Sequence, residues 1–210
     1  MKIIEKGLLV PALLASFAAM AQLPVPGGQG WTHSEFDDIE PSDYQWLTRD
    51  GERVLQARCD ASASLYGVQR RIDLQEQPVL SWEWRVARVY ENIEERNKSG
   101  DDFPARVYAV IDGGLFIWRT RALNYVWSSE EAVGSDWPNP FRSQAHMIVV
   151  ASGPSGKGQW RSASRNLVTD FKRYFDMDID AIDGIAVMSD CDNTGGETTA
   201  WFRNIRFSAP

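Results

Sequence analysis

Apolar and polar residues alternate along most of this chain. The alternation is clearest in Leu80–Val86 and recurs in Val107–Ile111 and Trp201–Phe207. A period of two residues is the pattern of a β-strand with one face in a core and one face outside it. The run Met147–Ala151 is apolar throughout, which indicates a strand covered on both faces.

Turn residues separate these runs at short intervals. Arg49–Gly51 predicts a hairpin between two alternating segments, and Asp112–Gly114 ends another. Gly153–Gly158 also predicts a hairpin turn, between Met147–Ser152 and Trp160–Arg165. The sequence therefore predicts an all-β protein, an antiparallel β-sandwich of about ten strands.

One segment has the period of a helix instead. In Leu167–Phe175 the apolar residues Leu167, Phe171 and Tyr174 share one helical face. Asn166 stands where a helix N-cap is expected. We therefore predict a single short helix near residues 167–175 that crosses between strands.

The first 21 residues have the pattern of a secretory signal peptide. Lys2 and Lys6 precede an apolar run, and Ala19–Ala21 is a small-x-small cleavage site. A buried N-terminal helix is the alternative. The predicted organisation is a signal peptide at 1–21, an extended leading segment at 22–41 with an early strand near Trp31, and one sandwich domain at 42–210. The expected location is periplasmic or secreted.

The charge and apolar content exclude several classes of partner. The net charge is −7, and removing residues 1–21, with two Lys and one Glu, changes it to −8. An acidic exported protein is a poor binder of nucleic acid. After signal cleavage no remaining apolar run is long enough to span a membrane. The two cysteines, Cys59 and Cys191, form a single disulfide in an oxidising compartment or remain two buried thiols.

The strongest candidate chemistry lies where an apolar strand ends. Asp190, Asp192 and Asn193 follow Gly184–Met188 and offer several hard oxygen ligands within four residues. Such a group suits a Ca²⁺ ion, held here by Asp190 and Asp192, or the hydroxyls of a sugar. The alternative is an Asx-turn network in which the side chains cap their own backbone.

Two further clusters combine carboxylates with an arginine. Asp101 and Asp102 precede a strand that contains Arg106, and this set could receive a ligand or form a structural ion pair. Arg165 and Asp170 flank the helix start, where a salt bridge alone would explain them. We expect all three clusters to meet at one rim of the sandwich as ligand-binding residues.

The aromatic content favours a carbohydrate ligand. The chain has nine tryptophans, and indole rings stack on the apolar faces of sugars. Trp127, beside a long loop, is the predicted stacking platform, while Trp82 and Trp84 are assigned to the core. The two histidines have no zinc-site spacing, and no Gly-x-Ser-x-Gly elbow occurs.

Four ordered motifs also resemble a known family. The runs Gly100–Tyr108, Asn124–Ser128, Arg165–Asp170 and Ala186–Gly195 look like the bacterial exported domain of unknown function family 3047. The resemblance implies a jelly-roll sandwich similar to carbohydrate-binding and galactose-binding-like modules, and it supplies no established reaction. A Thr is usual in that family where Cys191 stands, which favours pairing of this cysteine with Cys59.

These observations lead to one functional hypothesis and two alternatives. The hypothesis is an exported binding module for a polar ligand, chiefly a carbohydrate, with Ca²⁺ as the one candidate cofactor. The first alternative is a glycan-active enzyme that uses two rim carboxylates as acid and base, which we favour less than binding. The second is a structural envelope protein whose polar clusters only brace loops.

Overall fold

The computed structural model describes residues 30–115, 119–154 and 158–210. The predicted signal peptide at 1–21 and residues 22–29 of the leading segment lie outside the described residues. In the described part of the chain, no helix has the length and apolar character that crossing a membrane requires.

The described residues are mainly β-strand. They form twelve strands: β1 (Trp31–Glu35), β2 (Asp43–Arg49), β3 (Glu52–Asp60), β4 (Ser64–Asp73), β5 (Val79–Val86), β6 (Ala105–Ile111), β7 (Arg121–Ser128), β8 (Asp136–Pro138), β9 (Ala145–Ser152), β10 (Arg161–Asn166), β11 (Ala181–Met188) and β12 (Glu197–Ser208). One helix, α1 (Leu167–Phe175), and a 3₁₀ turn at Lys98–Gly100 complete the regular elements of this part of the chain.

The strands build two sheets of a jelly-roll β-sandwich. The seven-stranded sheet has the order β1-β4-β11-β6-β7-β9-β8, and the five-stranded sheet has the order β10-β5-β12-β3-β2. The predicted all-β sandwich with one short helix is confirmed. One strand pair departs from the antiparallel expectation, because β7 and β9 run parallel.

The leading segment contributes to the fold. β1 lies within residues 22–41 and pairs antiparallel with β4 over its whole length. The sandwich therefore includes residues before the predicted boundary at 42. The signal for this strand is weak because β1 forms an edge and most of its side chains are exposed.

The two predicted hairpins have different outcomes. β2 and β3 form the predicted hairpin, with the pair Arg49–Glu52 closing a two-residue turn at Asp50 and Gly51. Both turn residues have positive φ, 53° and 78°, as a type I′ turn requires. The hairpin predicted at Gly153–Gly158 is wrong, because β9 lies in one sheet and β10 in the other.

The core fills the space between the two sheets. Alternating residues of each strand point inward, among them the fully buried rings of Trp82, Trp84, Trp127, Tyr125 and Phe202. Burial of large aromatic side chains supplies most of the apolar area that stabilises such a core. The prediction that Trp82 and Trp84 belong to the core is confirmed.

A disulfide ties the two sheets together at one end. Cys59 on β3 is bonded to Cys191, just after β11, with their Cα atoms 6.1 Å apart. The Tyr90 hydroxyl lies 3.3 Å from the Cys59 sulfur and donates a hydrogen bond to the Asp190 carbonyl. The predicted pairing is confirmed, and the bond anchors the segment that contains Asp190, Asp192 and Asn193.

Removing this bond should lower stability strongly. The cysteines are 132 positions apart, and in the chain-entropy model a loop of that length stabilises the folded state by about 4–5 kcal/mol. We expect the double variant Cys59→Ser/Cys191→Ser to lose up to that amount in urea unfolding. Dithiothreitol should lower the wild-type midpoint and leave the double variant unchanged. Equal midpoints for oxidised and fully reduced wild type would contradict the prediction.

Candidate functional site

A buried ion pair joins the start of β6 to the segment after β11. The Arg106 Nε donates to Asp190 Oδ1 at 2.7 Å, and its Nη2 donates to Asp190 Oδ2. Both residues are almost fully enclosed, with 3% and 1% of their surface exposed. A bidentate pair with this burial holds the two strand ends in one geometry.

The neighbouring loop covers this pair. Arg106 also donates to the Asp101 carbonyl, and its guanidinium carbon lies 4.5 Å from the centre of the Phe103 ring. The Phe103 amide donates to Asp190 Oδ1 at 3.3 Å. The Asp101 carboxylate accepts from Asn139 at 3.0 Å through Oδ2, while its buried Oδ1 has no hydrogen-bond partner.

Asp102 organises the loop that follows Asp190. Its carboxylate is fully buried and accepts from the Asn193 amide, the Asn193 side chain and the Thr194 amide at 3.2, 3.0 and 2.7 Å. These bonds fix the turn in which the Gly195 amide donates to the Cys191 carbonyl. The carboxylate that holds this turn lies outside it, which differs from the Asx-turn alternative, in which the side chains cap their own backbone.

Several carboxylates crowd together here. Single oxygen atoms of Asp102, Asp190 and Asp192 all lie within 4.8 Å of one another. Burial raises the pKa of Asp101, Asp190 and Asp192, and the other carboxylates of the cluster raise these pKa values further, while Arg106 opposes both effects. Asp192 and Asn193 are the members with partial solvent exposure.

The third predicted cluster forms elsewhere. Arg165 holds Asp170 through two hydrogen bonds of 2.8 and 2.6 Å, and the Tyr125 hydroxyl donates to the same carboxylate at 2.7 Å. Asn166 caps α1 by accepting from the Thr169 amide. These contacts attach the helix to the core, which is the structural role that the sequence allowed.

The predicted clusters around Asp102 and Asp190 meet, but the Arg165–Asp170 cluster does not join them, which corrects the expectation of one rim for all three. Tyr125 is opposite Val107 in the strand register and points into the core, whereas Arg106 is opposite Val126 and points away from it. Successive residues of a strand face opposite sides. The Arg165–Asp170 pair and the Arg106–Asp190 pair are therefore on opposite sides of the seven-stranded sheet.

Trp127 cannot act as the predicted stacking platform. Its ring is fully buried, contacts Trp84 edge-on and has the Arg161 guanidinium 4.6 Å from its centre. Its indole nitrogen donates to the Gly153 carbonyl at 2.9 Å. Trp127 faces inward because the alternation that places Tyr125 in the core places Trp127 there too.

The side of the seven-stranded sheet that faces away from the core is covered over only part of its width. A second apolar cluster of Phe103, Val126, Trp137, Met147 and Val149 covers it at β7, β8 and β9. At β1, β4 and β11 a cleft of about 220 Å³ remains, which we call the open trough.

Very small residues form the floor of the open trough. Gly67, Ala186 and Tyr108 are directly opposite one another on β4, β11 and β6, and Gly184 lies two residues from Ala186. A Cβ at Gly67 would lie 2.5 Å from the Ile185 carbonyl oxygen, and one at Gly184 would lie 2.7 Å from the Val68 carbonyl oxygen. Only glycine fits at these two positions, so the backbone itself is the floor.

Polar groups surround this floor. Thr32 and Ser34 of β1 lie along one side, and Gln69, Asp112 and Asp183 lie at one end. Gln69 donates to the Asp112 carboxylate at 3.4 Å, and the Asp112 amide donates to Asp183 at 2.9 Å. Hydroxyls, an amide and carboxylates therefore surround an apolar strip, which is the composition of a polar-ligand site.

The next strands along this sheet, β6 and β7, contain two further polar side chains. Asn124, opposite Tyr108, is 1% exposed, and its side-chain oxygen has no hydrogen-bond partner. Tyr108 is half-buried, and burial raises its pKa to about 12, so its hydroxyl stays neutral at pH 7.

Sequence reasoning missed these residues because nothing in their spacing marks them. Gly67, Gly184 and Ala186 are isolated small residues within strand patterns, and only the sheet order places them side by side. It also missed Glu95, which is buried and accepts from Ser128 and Ser129, so that it joins the loop after β5 to the loop after β7. The glycines did carry one weak signal, since glycine within a strand often marks close backbone approach.

A family model described as a protein of unknown function (DUF3047) matches residues 29–206. No curated protein matches the chain in sequence.

Solved structures with a similar overall shape are known. A carbohydrate-binding module specific for non-crystalline cellulose (CBM28) is 10% identical, with a TM-score of 0.45 over 87% of this chain and 89% of that chain. The xyloglucanase domain of NopAA, a type three effector from Sinorhizobium fredii, is 11% identical, with a TM-score of 0.45 over 86% and 94%. Endoglucanase 3 of Trichoderma harzianum is 8% identical, with a TM-score of 0.41 over 88% and 92%. These values carry no functional residue over to the present chain.

Breaking the buried ion pair should be costly. Arg106→Met leaves the enclosed Asp190 without a partner, and we expect a loss of about 3–5 kcal/mol in urea unfolding. Arg96→Met is the matched control, because Arg96 pairs with Glu131 at an exposed site and should cost less than about 1 kcal/mol. The double variant Arg106→Met/Asp190→Leu should be more stable than Arg106→Met alone. Similar losses for the Arg106 and Arg96 variants would contradict this assignment.

Proposed function

Since the chain belongs to the DUF3047 family of proteins of unknown function, we propose from its own geometry that it is an exported binding module for a carbohydrate. The observation that carries this proposal is the open trough, where a backbone floor is bordered by hydroxyl, amide and carboxylate groups. No reaction is part of the proposal, because binding alone accounts for this arrangement.

The trough has the two properties that a sugar requires. Its floor of Gly67, Gly184 and Ala186 allows the flat face of a ring to approach the sheet closely. Its polar border offers both donors and acceptors, which is what the hydroxyls of a sugar need once they leave water. Tyr108 is opposite Ala186 beside the floor, and its hydroxyl donates to the Met188 sulfur at 3.5 Å.

The predicted acid and arginine residues have an indirect part in this proposal. The ends of β6 and β11, the strands that contribute Val110 and Ala186 to the trough, are held by Asp101, Asp102, Arg106 and Asp190. Asp192 and Asn193 are the two that remain accessible for a ligand. Arg165 and Asp170 position α1 and lie on the other side of the sheet.

These carboxylates do not support the alternative of a glycan-active enzyme. Asp102 is fully buried and its two oxygens accept three hydrogen bonds, while Asp190 is held by Arg106. A glycosidase needs two carboxylates that reach opposite sides of a glycosidic bond. These side chains brace loops, as expected if the protein were a structural envelope protein. A purely structural role does not explain the open trough.

Export is supported by two features. Residues 1–21 have the signal-peptide pattern, and the chain contains a disulfide, a bond that persists mainly in oxidising compartments. We therefore place the protein in the periplasm or outside the cell.

The carbohydrate proposal is tested by filling the trough. Ala186→Tyr places a large side chain on the floor without entering the core, and we expect it to weaken binding of the best ligand from a glycan array at least tenfold. Ser164→Tyr is the matched control, since Ser164 is exposed on the other sheet and its variant should bind like wild type. Calorimetry gives the affinities. An array without any ligand, or equal affinity for Ala186→Tyr and wild type, would remove the proposal.

A Ca²⁺ ion held by Asp190 and Asp192 is a secondary hypothesis, favoured by the close approach of three carboxylates. Burial raises the pKa of Asp192, so the protonated carboxyl favours the folded state and the ionised carboxylate opposes it. The stability that the protonated form contributes is therefore lost as the pH rises through the raised pKa. In EGTA at pH 7, Asp192→Asn should therefore raise the melting temperature by about 1–3 °C, an advantage that shrinks toward pH 4. Asp37→Asn, at an exposed site, is the control.

Added CaCl₂ then decides whether the ion binds. If Asp190 and Asp192 hold it, CaCl₂ raises the melting temperature of wild type and not that of Asp192→Asn. The absence of both a thermal shift and a calorimetric signal in wild type would rule out the ion.

A further inference from the structure

The five-stranded sheet presents an aromatic and cationic strip on its outer face. Trp201 of β12 is directly opposite Arg85 of β5, and Trp160 immediately precedes β10, the strand that pairs with β5. Their chain neighbours Trp84 and Phe202 are fully buried in the core. Because strand residues alternate, Arg85 and Trp201 face outward, and all three residues of the strip are partly exposed.

The two indole rings clamp the arginine. The Arg85 guanidinium carbon lies 4.4 Å from the centre of the Trp201 ring and 5.1 Å from that of Trp160. The Trp201 nitrogen donates to the Gln56 side chain at 3.1 Å, which fixes the orientation of the ring. A guanidinium held between aromatic faces has lost much of its rotational freedom and of its water shell before any ligand arrives.

Arg85 forms no ion pair among the described residues. Among the described residues no carboxylate lies within 4.0 Å of its nitrogens, and its enclosed Nε has no hydrogen-bond partner. The neighbouring Arg203 is paired with Glu83 and Glu52. Its guanidinium carbon lies 4.2 Å from the centre of the Trp160 ring. An arginine is charged at neutral pH, so the strip contains one free cation on a protein of net charge −7.

We propose that Arg85, Trp160 and Trp201 form a second binding surface, specific for the carboxylate of an acidic sugar unit in a polysaccharide. The planar fork of a guanidinium matches a carboxylate through two parallel hydrogen bonds. The exposed parts of the flanking indoles offer apolar surface to the sugar ring that carries the carboxylate. A phosphate dianion is a poorer match, because the second arginine is already neutralised by two glutamates.

This surface is independent of the open trough. The strip lies on the outer face of the five-stranded sheet, and the trough lies on the outer face of the seven-stranded sheet, with the whole core between them. The two sites can therefore fail separately, and Ala186→Tyr should not affect the acidic ligand.

A galacturonate hexamer and its full methyl ester test the proposal, because they share one sugar backbone and the ester has no free carboxylate. We expect calorimetry to show binding of the hexamer, at least tenfold weaker binding of the ester, and weakening of hexamer binding as NaCl is raised. Arg85→Gln should weaken hexamer binding at least tenfold. Arg173→Gln, which removes an exposed arginine from α1, should stay within twofold of wild type.

A second variant of Arg85 distinguishes the role of its shape from the role of its charge. Arg85→Lys keeps the charge but loses the planar fork, so a hexamer affinity between those of wild type and Arg85→Gln supports the site. If circular dichroism shows that Arg85→Gln does not fold, Arg85→Lys is used in its place. Absence of hexamer binding, equal binding of hexamer and ester, or equal losses for Arg85→Gln and Arg173→Gln would overturn the proposal. Loss of hexamer binding in Ala186→Tyr would instead place the acidic ligand in the trough and overturn it too.

Discussion

The buried pair of Arg106 and Asp190 is the constraint on which this end of the sandwich depends. An ion pair withdrawn from water is tolerated only when its geometry is good and its remaining polar atoms are satisfied. Both conditions require the loop that contains Asp101 and Phe103 to cover the pair. The same loop supplies Asp102, which caps the turn after Asp190, and the disulfide at Cys191 prevents that turn from moving away.

The braced loop at this end of the sandwich determines which part of the outer face of the seven-stranded sheet is exposed to solvent. The covering loop and the cluster around Phe103 and Trp137 enclose the outer face at β7, β8 and β9. At β4 and β11 the two strands approach so closely that glycine is required at Gly67 and Gly184, where no side chain covers the backbone. The open trough is thus a direct result of tight strand packing beside a braced loop.

Local patterns predicted the elements well. The alternation predicted the two-sheet sandwich and the core role of Trp82, the turn Asp50-Gly51 predicted the hairpin of β2 and β3, and Asn166 predicted the start of α1. These features succeed because each depends on neighbouring residues alone. The turn at Gly153 has the same local chemistry as a hairpin, yet it connects two sheets, because strand pairing is decided by partners far along the chain.

The sequence by itself determined the all-β class, the single helix and which residue types could carry chemistry. Tertiary structure alone decided which of these residues meet. Arg106 and Tyr125 belong to consecutive residue pairs of β6 and β7, yet Arg106 faces away from the core and Tyr125 faces into it. The Arg106 cluster and the Arg165–Asp170 cluster, which the sequence suggested were one site, are therefore separate. Tertiary structure also aligned Gly67, Gly184 and Ala186, and placed Arg85 between Trp160 and Trp201. The reason is that strand order and register join residues tens of positions apart, and no local pattern encodes them.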